Sequence, residues 1–179
     1  RNIAAADASV RSGKWERNKY LGVELETKTL GIVGLGKIGS LLATYAKPFR
    51  MRVIAFDPVV AKERAAQLGV ELVDLERVLA ESDYISFHVP LTDRTKGMIG
   101  AAQLKKMKRT VRIVNTSRGG VIDEKALAEA LTAKEIAGAA LDVYEQEPPV
   151  KDHPLFKVEN VTLTPHLAAS TEEAQVKVA

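Results

Sequence analysis

Leu30-Gly31-Ile32-Val33-Gly34-Leu35-Gly36-Lys37-Ile38-Gly39 runs from an apolar stretch through a glycine-spaced turn into a helical pattern, and Asp57 closes the next apolar run, Met51-Arg52-Val53-Ile54-Ala55-Phe56. Each glycine answers a separate demand. Gly34 lets the chain leave a strand in a tight turn, Gly36 removes a side chain that would block a pyrophosphate, and Gly39 lets the new helix pack closely on the sheet. Phosphates then face free N–H groups and the positive end of a helix dipole. Asp57 stands where a carboxylate accepts hydrogen bonds from the adenosine ribose hydroxyls and repels a 2′-phosphate, so the pattern favours NAD over NADP. Lys62 and Arg64 lie several residues past Asp57, with Pro58 between, and give little support to NADP. Strand, turn, helix, second strand and terminal acid occur in the order that makes a bare glycine pattern specific.

Working outward, short apolar runs recur at Leu30–Val33, Val53–Phe56, Tyr84–Phe87, Ile113–Val114, Ala139–Val143 and Val161–Leu163. These lengths suit strands buried on both faces. Helical patterns lie between them: 38–46 before Pro48, 61–68 before Gly69, 75–80, 101–107 and 125–133. The alternation predicts a doubly wound, Rossmann-type α/β fold, a parallel sheet with helices on both faces. Asp123 is placed to cap the helix that carries Leu127 and Leu131 on one face, and Ser170 with Glu173 has capping-box spacing before a last helix. Alanine-rich 1–10 reads as helical, and 13–28 as loop or arm. No repeat, low-complexity stretch or linker divides the chain.

With 179 residues, 46% hydrophobic and 27% charged, the chain has material for one substantial domain. No stretch approaches the ~20 apolar residues of a membrane span, so no membrane role is expected. A net charge of +3 is too small to imply a nucleic-acid partner. Zero cysteines exclude disulfides and a thiol nucleophile, and fit a reducing cytoplasm. His88, His153 and His166 are far apart and show no metal-ligand spacing, so no metal is assigned. Arg1 stands without an initiator methionine or signal pattern, and the chain reads as excised from a longer protein.

Three further residues each follow an expected strand: Arg118 in Asn115-Thr116-Ser117-Arg118-Gly119-Gly120, Glu147 in Glu145-Gln146-Glu147-Pro148-Pro149, and His166 in Thr164-Pro165-His166. Strand ends at the carboxyl edge of a parallel sheet gather round one crevice. A guanidinium there can hold a carboxylate with two hydrogen bonds, and a histidine can exchange a proton while a carboxylate orients its ring. Taken singly, Arg118 also suits a loop brace, Glu147 a solvated charge, and His166 a satisfied polar residue.

The glycine turn, the Asn115–Gly120 stretch with Val121-Ile122-Asp123-Glu124, Ala140-Leu141-Asp142-Val143 with Glu147-Pro148, and Pro165-His166 together resemble the D-2-hydroxyacid dehydrogenases, in the family's order and over almost the whole chain. Gly13-Lys14-Trp15-Glu16-Arg17 with Gly22-Val23-Glu24-Leu25, and 166–171 with Glu173-Ala174-Gln175, look most like the 3-phosphoglycerate-oxidising branch. Members acting on glyoxylate, hydroxypyruvate or D-lactate are the nearest alternative, and a non-catalytic NAD-sensing corepressor is a different class. Signatures of the formate branch are not evident.

The resemblance implies that Arg118 binds a substrate carboxylate, His166 is the acid/base and Glu147 pairs with it, with a small 2-hydroxy or 2-oxo acid as substrate. It implies an NAD site bordered by Gly34, Gly36, Lys37, Ile38, Gly39, Asp57, Val89, Thr95, Thr116, Ser117, Arg118 and His166, with Asp142 near the carboxamide. It also implies a homodimer or higher oligomer through the cofactor domain, with residues 1–25, including Trp15 and Tyr20, as connecting helix and either a subunit arm or a solvent-exposed tail. Three positions depart from the family pattern: Arg50 and Ala168 replace glycines, and Arg109-Thr110 replaces a Pro-Gly turn. A positive φ at Arg50 would cost about 1 kcal/mol, and Ala168 could narrow the space by the nicotinamide. Because this family builds its substrate domain from both chain ends, the excised chain is expected to bind cofactor with little or no turnover.

Overall fold

Strands that must bury both faces need two cores, and the apolar runs supply them. A computed structural model describes residues 2–178, so Arg1, part of the expected first helix and arm, lies outside the described residues. In chain order the elements are α1 (Ile3–Arg11), β1 (Thr29–Val33), α2 (Lys37–Ala46), β2 (Arg52–Phe56), α3 (Lys62–Gln67), β3 (Glu71–Leu72), α4 (Leu75–Glu81), β4 (Tyr84–Phe87), α5 (Ala101–Leu104), β5 (Arg112–Asn115), α6 (Glu124–Thr132), β6 (Gly138–Leu141), β7 (Val161–Leu163) and α7 (Glu172–Val178). The strands form one parallel sheet in the order β3-β2-β1-β4-β5-β6-β7. Strand order reverses beside β1, which makes the crevice between the ends of β1 and β4 the switch point where such sheets bind ligands.

Alternation along each strand sorts side chains between the cores. Leu30 and Ile32 of β1 join Val53 and Ala55 of β2 against Ala43 and Ala46 of α2 and Ala65 of α3. On the other face, Val33 and Ile54 pack with Val78 and Leu79 of α4, Leu104 of α5 and Leu127 and Leu131 of α6. Each fully buried leucine or isoleucine contributes about 1.5–3 kcal/mol, so the apolar faces of these short helices, rather than helix propensity, hold them in place. Asp123 caps α6 as expected, accepting from the Ala126 amide at 3.0 Å.

Several boundaries differ from the sequence reading. β3 has two residues, too few to carry a pattern. The helix expected over 101–107 ends at Leu104 because Lys106 and Met107 make i→i−3 bonds that tighten the chain and turn Met107 into the core. β6 stops at Leu141, although the Asp142 amide still bonds the Asn115 carbonyl at 2.9 Å before the chain leaves the sheet. The last helix is capped by Thr171, whose Oγ1 accepts from the Ala174 amide at 3.1 Å. Ser170 was the expected cap; its hydroxyl faces the His166 carbonyl instead. Arg50 adopts φ 55°, the left-handed conformation that was expected to strain it. The 13–28 segment holds one 3₁₀ turn, Arg17–Tyr20, and leaves Trp15 83% exposed.

Candidate active site

The register places the strand ends in a single row across the sheet: Phe56, Val33, Phe87, Asn115, Leu141 and Leu163 are successive partners. One step beyond that row stand Asp57, Gly34, His88, Thr116, Asp142 and Thr164. The topology thereby brings the sequence-selected segments to one edge.

At the β1 end, Gly34 has φ +96°, and a Cβ there would lie 2.9 Å from the His88 carbonyl group. Gly39 lies against the Gly34 carbonyl, 2.1 Å from where its own Cβ would be. Gly36 differs: its backbone is one any residue adopts, and a Cβ would meet nothing within 4 Å. Packing within the protein gives no reason for glycine there, whereas a phosphate approaching the turn does. The first turn of α2 has neither a side-chain cap nor an acidic residue, so its amides and dipole are open to an anion. These features fit a dinucleotide pyrophosphate.

Asp57 directly follows β2, at the carboxyl edge of the sheet. Its carboxylate also accepts from the Leu35 amide inside the glycine turn at 2.7 Å, and from the Val59 and Val60 amides at 2.8 and 3.1 Å. Between this turn and the segment after β4 opens a cleft of about 770 Å³. Of the expected cofactor residues, Gly34, Gly36, Asp57, Val89 and Thr95 line it. Lys37 and Ile38 lie exposed on the first turn of α2 and are not among the cleft's lining residues. His88, Arg94 and Met98 line it as well and were not singled out in the sequence. For His88 a signal existed, since it follows β4 as Asp57 follows β2. Burial pushes the His88 imidazole below its ordinary value, and Nε2 lies 2.9 Å from the Ser86 hydroxyl, so the ring stays neutral at pH 7.

At the other half of the row, Asn115 shapes the Thr116–Arg118 loop. Its Oδ1 accepts from the Ser117 amide and hydroxyl, and its Nδ2 donates to the Arg118 carbonyl. Arg118 is exposed, with Nη1 donating to the Ser117 carbonyl at 2.6 Å. Glu147 and His166 meet directly: Oε2 lies 2.7 Å from Nδ1, while Oε1 accepts from the Tyr144 amide at 3.0 Å. No direct bond joins Arg118 to that pair among the described residues. The two loops touch through Gly119, which lies against the Tyr144–Glu145 peptide.

His166 is held in the left-handed region at φ 54°, and Asp142 supplies the bracing. Buried at the end of β6, Asp142 accepts from the Thr164 hydroxyl and the Leu167 amide through Oδ1, and from the Ala168 amide through Oδ2. Ala168 itself is exposed. Burial pushes the Asp142 carboxyl up, but the three donors and the nearby His166 outweigh it and leave the group below the usual carboxylate range. The His166 bond, followed by the Tyr144 amide, lowers Glu147. Both groups therefore add stability that is complete above their unfolded values near 4 and is lost as pH falls through the lower folded values. Thermal unfolding followed from pH 7 to 3 should show the midpoint dropping below about pH 4, with Asp142→Asn removing part of that acid dependence. An unchanged pH profile in the variant would contradict the brace.

A family model described as D-isomer specific 2-hydroxyacid dehydrogenase, NAD binding domain, matches residues 1–168. Among curated relatives, a D-3-phosphoglycerate dehydrogenase of Archaeoglobus fulgidus is 55% identical over 178 residues, covering 99% of this chain and 34% of that protein. A glyoxylate reductase of Korarchaeum cryptofilum is 49% identical over 183 residues, covering 100% of this chain and 55% of that protein. The chain therefore spans about a third to a half of the length of these relatives. In structure it is similar to D-lactate dehydrogenase from Escherichia coli, with a TM-score of 0.91 and 39% identity over 99% of this chain and 56% of that one. The glycine turn, the ordered strand ends and the family match agree, and this chain belongs to the NAD-binding domains of the D-isomer-specific 2-hydroxyacid dehydrogenases.

Proposed function

We propose that this chain is the cofactor-binding part of a longer NAD-dependent dehydrogenase that oxidises a D-2-hydroxy acid, with 3-phosphoglycerate to 3-phosphohydroxypyruvate, at the entry to serine synthesis, as the favoured reaction. The observation that carries the proposal is the 2.7 Å Glu147–His166 bond at the same sheet edge as the glycine turn. Bound NAD supplies the hydride acceptor. With Nδ1–H donating to Glu147, the neutral ring keeps its lone pair on Nε2, the atom that takes the substrate hydroxyl proton as hydride leaves C2. In the reverse direction protonated Nε2 returns it. Arg118, whose guanidinium has the Ser117 carbonyl of its own loop as its one polar contact among the described residues, is available to hold the substrate carboxylate through its planar fork. Asp57 faces the ribose and disfavours a 2′-phosphate. Thr116, Ser117 and Asp142 lie along the nicotinamide side of the row.

The phosphoglycerate dehydrogenase relative supports the favoured substrate, and the glyoxylate reductase relative supports a second reading in which the acid is smaller and unphosphorylated. Steady-state profiling of the full-length protein with both substrates separates them. By itself the chain covers only part of such an enzyme, and we expect it to bind cofactor with little turnover, because the crevice lacks a facing domain to exclude water. Exposed Ile38, Leu41, Tyr45 and Phe49 along the outer side of α2 and the turn after it, with Trp15 and Leu21 in the arm, support a homo-oligomeric contact. The cysteine-free composition suits a reducing cytoplasm, and no helix among the described residues is long and apolar enough to cross a membrane.

Calorimetric titration of the chain with NAD and with NADP tests the cofactor reading. NAD should bind and NADP should not, and Asp57→Ala should weaken NAD about tenfold while erasing the discrimination. Since Asp57 also braces the glycine turn, the NAD-to-NADP ratio isolates its ribose role. Failure of a folded chain to bind either would remove the basis of the proposal.

A further inference from the structure

Glu124 and His153 form a second carboxylate–imidazole pair, more deeply buried than the first. Glu124 Oε2 lies 2.7 Å from His153 Nε2, with the two side chains 11% and 8% exposed, against 38% and 48% for Glu147 and His166. The other Glu124 oxygen accepts from the Glu145 amide at 2.7 Å. His153 Nδ1 accepts from the Leu155 amide, which leaves the ring proton on Nε2, pointing at Glu124. The ring also meets Tyr144 edge-to-face, with centroids 6.0 Å apart at 81°.

Tyr144 is the link between the pairs. Its amide donates to Glu147 Oε1 at 3.0 Å, and its hydroxyl donates to the Thr164 carbonyl at 3.0 Å, two residues before His166. One residue thus fixes both the carboxylate and the backbone leading to the imidazole. Glu124 holds the peptide on one side of Tyr144 and His153 holds its ring. We propose that the Glu124–His153 pair positions the Glu147–His166 pair through Tyr144. Directional bonds suit a positioning role, because a buried ion-capable pair carries a desolvation cost that apolar packing avoids, and what it returns is a defined geometry. The proposal rests on reading His166 as the proton-exchanging residue.

The test uses the chain with ¹⁵N-labelled histidine, following the ring nitrogens of His153 and His166, with Glu147→Ala, which removes the acceptor, as the reference for an unpaired His166. His153→Ala should move the His166 ring signals toward that reference, whereas His153→Gln, which keeps a donor toward Glu124, should leave them near the native position. NAD affinity should stay unchanged in both. In the full-length protein His153→Ala should lower kcat about tenfold without raising KM for NAD, as expected for a displaced rather than missing group. A folded His153→Ala with native His166 signals overturns the proposal. If that variant does not fold, Glu124→Gln, which keeps an acceptor for the Glu145 amide, is read the same way, and unmoved His166 signals again overturn it. Should Glu147→Ala itself leave His166 unmoved, the reading of the first pair fails, a result distinguishable because the His153 signals report the second pair directly.

Discussion

His166→Gln in a full-length protein carrying this domain lowers kcat about a thousandfold, within the range lost when a positioned acid/base is removed, and changes NAD affinity far less. The separation follows from the site's layout. His166 stands beyond the β7 end of the row, with Nδ1 on Glu147, whereas the cleft beside Gly34, Gly36 and Asp57 lies at the β1–β2 end. Glutamine keeps polarity near the reacting hydroxyl but cannot accept and return its proton. Steady-state kinetics with calorimetric NAD titration of the same preparation makes the check. A loss below about tenfold would place proton transfer on another group, and a matching loss of NAD affinity would mean that His166 acts through the fold.

Gly119→Ala should be the most damaging of the glycine-to-alanine changes. Its Cβ would fall 1.7 Å from the Tyr144 carbonyl oxygen, 2.0 Å from its carbon and 2.6 Å from the Glu145 nitrogen. All three are backbone atoms, so no side-chain rotation relieves the overlap. The Arg118 loop and the Tyr144–Glu145 peptide must separate, which pulls the Tyr144 amide from Glu147. Overpacking of this kind costs about 3 kcal/mol, the upper part of the usual range, and lowers the melting midpoint roughly 6–12 °C in a domain of this size. Thermal unfolding with a Gly120→Ala control tests it, because Gly120 has positive φ but no close backbone neighbour. Because Gly119 itself lacks a positive φ, a loss no greater than that of Gly120→Ala would show that the backbone overlap is relieved at little cost.

The difference between these glycines marks the limit of what the sequence discloses. Gly34, Gly36 and Gly39 are legible because turn, phosphate approach and helix packing all lie within one short stretch. The strand positions are equally legible, since burial on both faces leaves unbroken apolar runs. Gly119 and His153 are not, because the atoms that constrain them, the Tyr144 peptide and the Glu124 carboxylate, are brought near only by the parallel sheet. Glu147 and His166 fall between: chemistry marks them as candidates, but their pairing depends on how Asp142 ties the chain after β7. The shift of the last helix cap from Ser170 to Thr171 has the same origin. Both residues can cap, and with Leu167 and Ala168 fixed by Asp142, Ser170 faces back toward the His166 carbonyl.

Asp57 carries a consequence for how coenzyme preference can evolve. The carboxylate at the end of β2 also anchors the Leu35 amide in the glycine turn and the Val59 and Val60 amides beyond it. Exchanging it for a small neutral residue to admit a phosphorylated ribose would leave those donors without their acceptor. The path from one coenzyme to the other therefore crosses a fitness valley one substitution wide, and lineages that cross it need a compensating acceptor near Leu35 before, or together with, the loss of the acid.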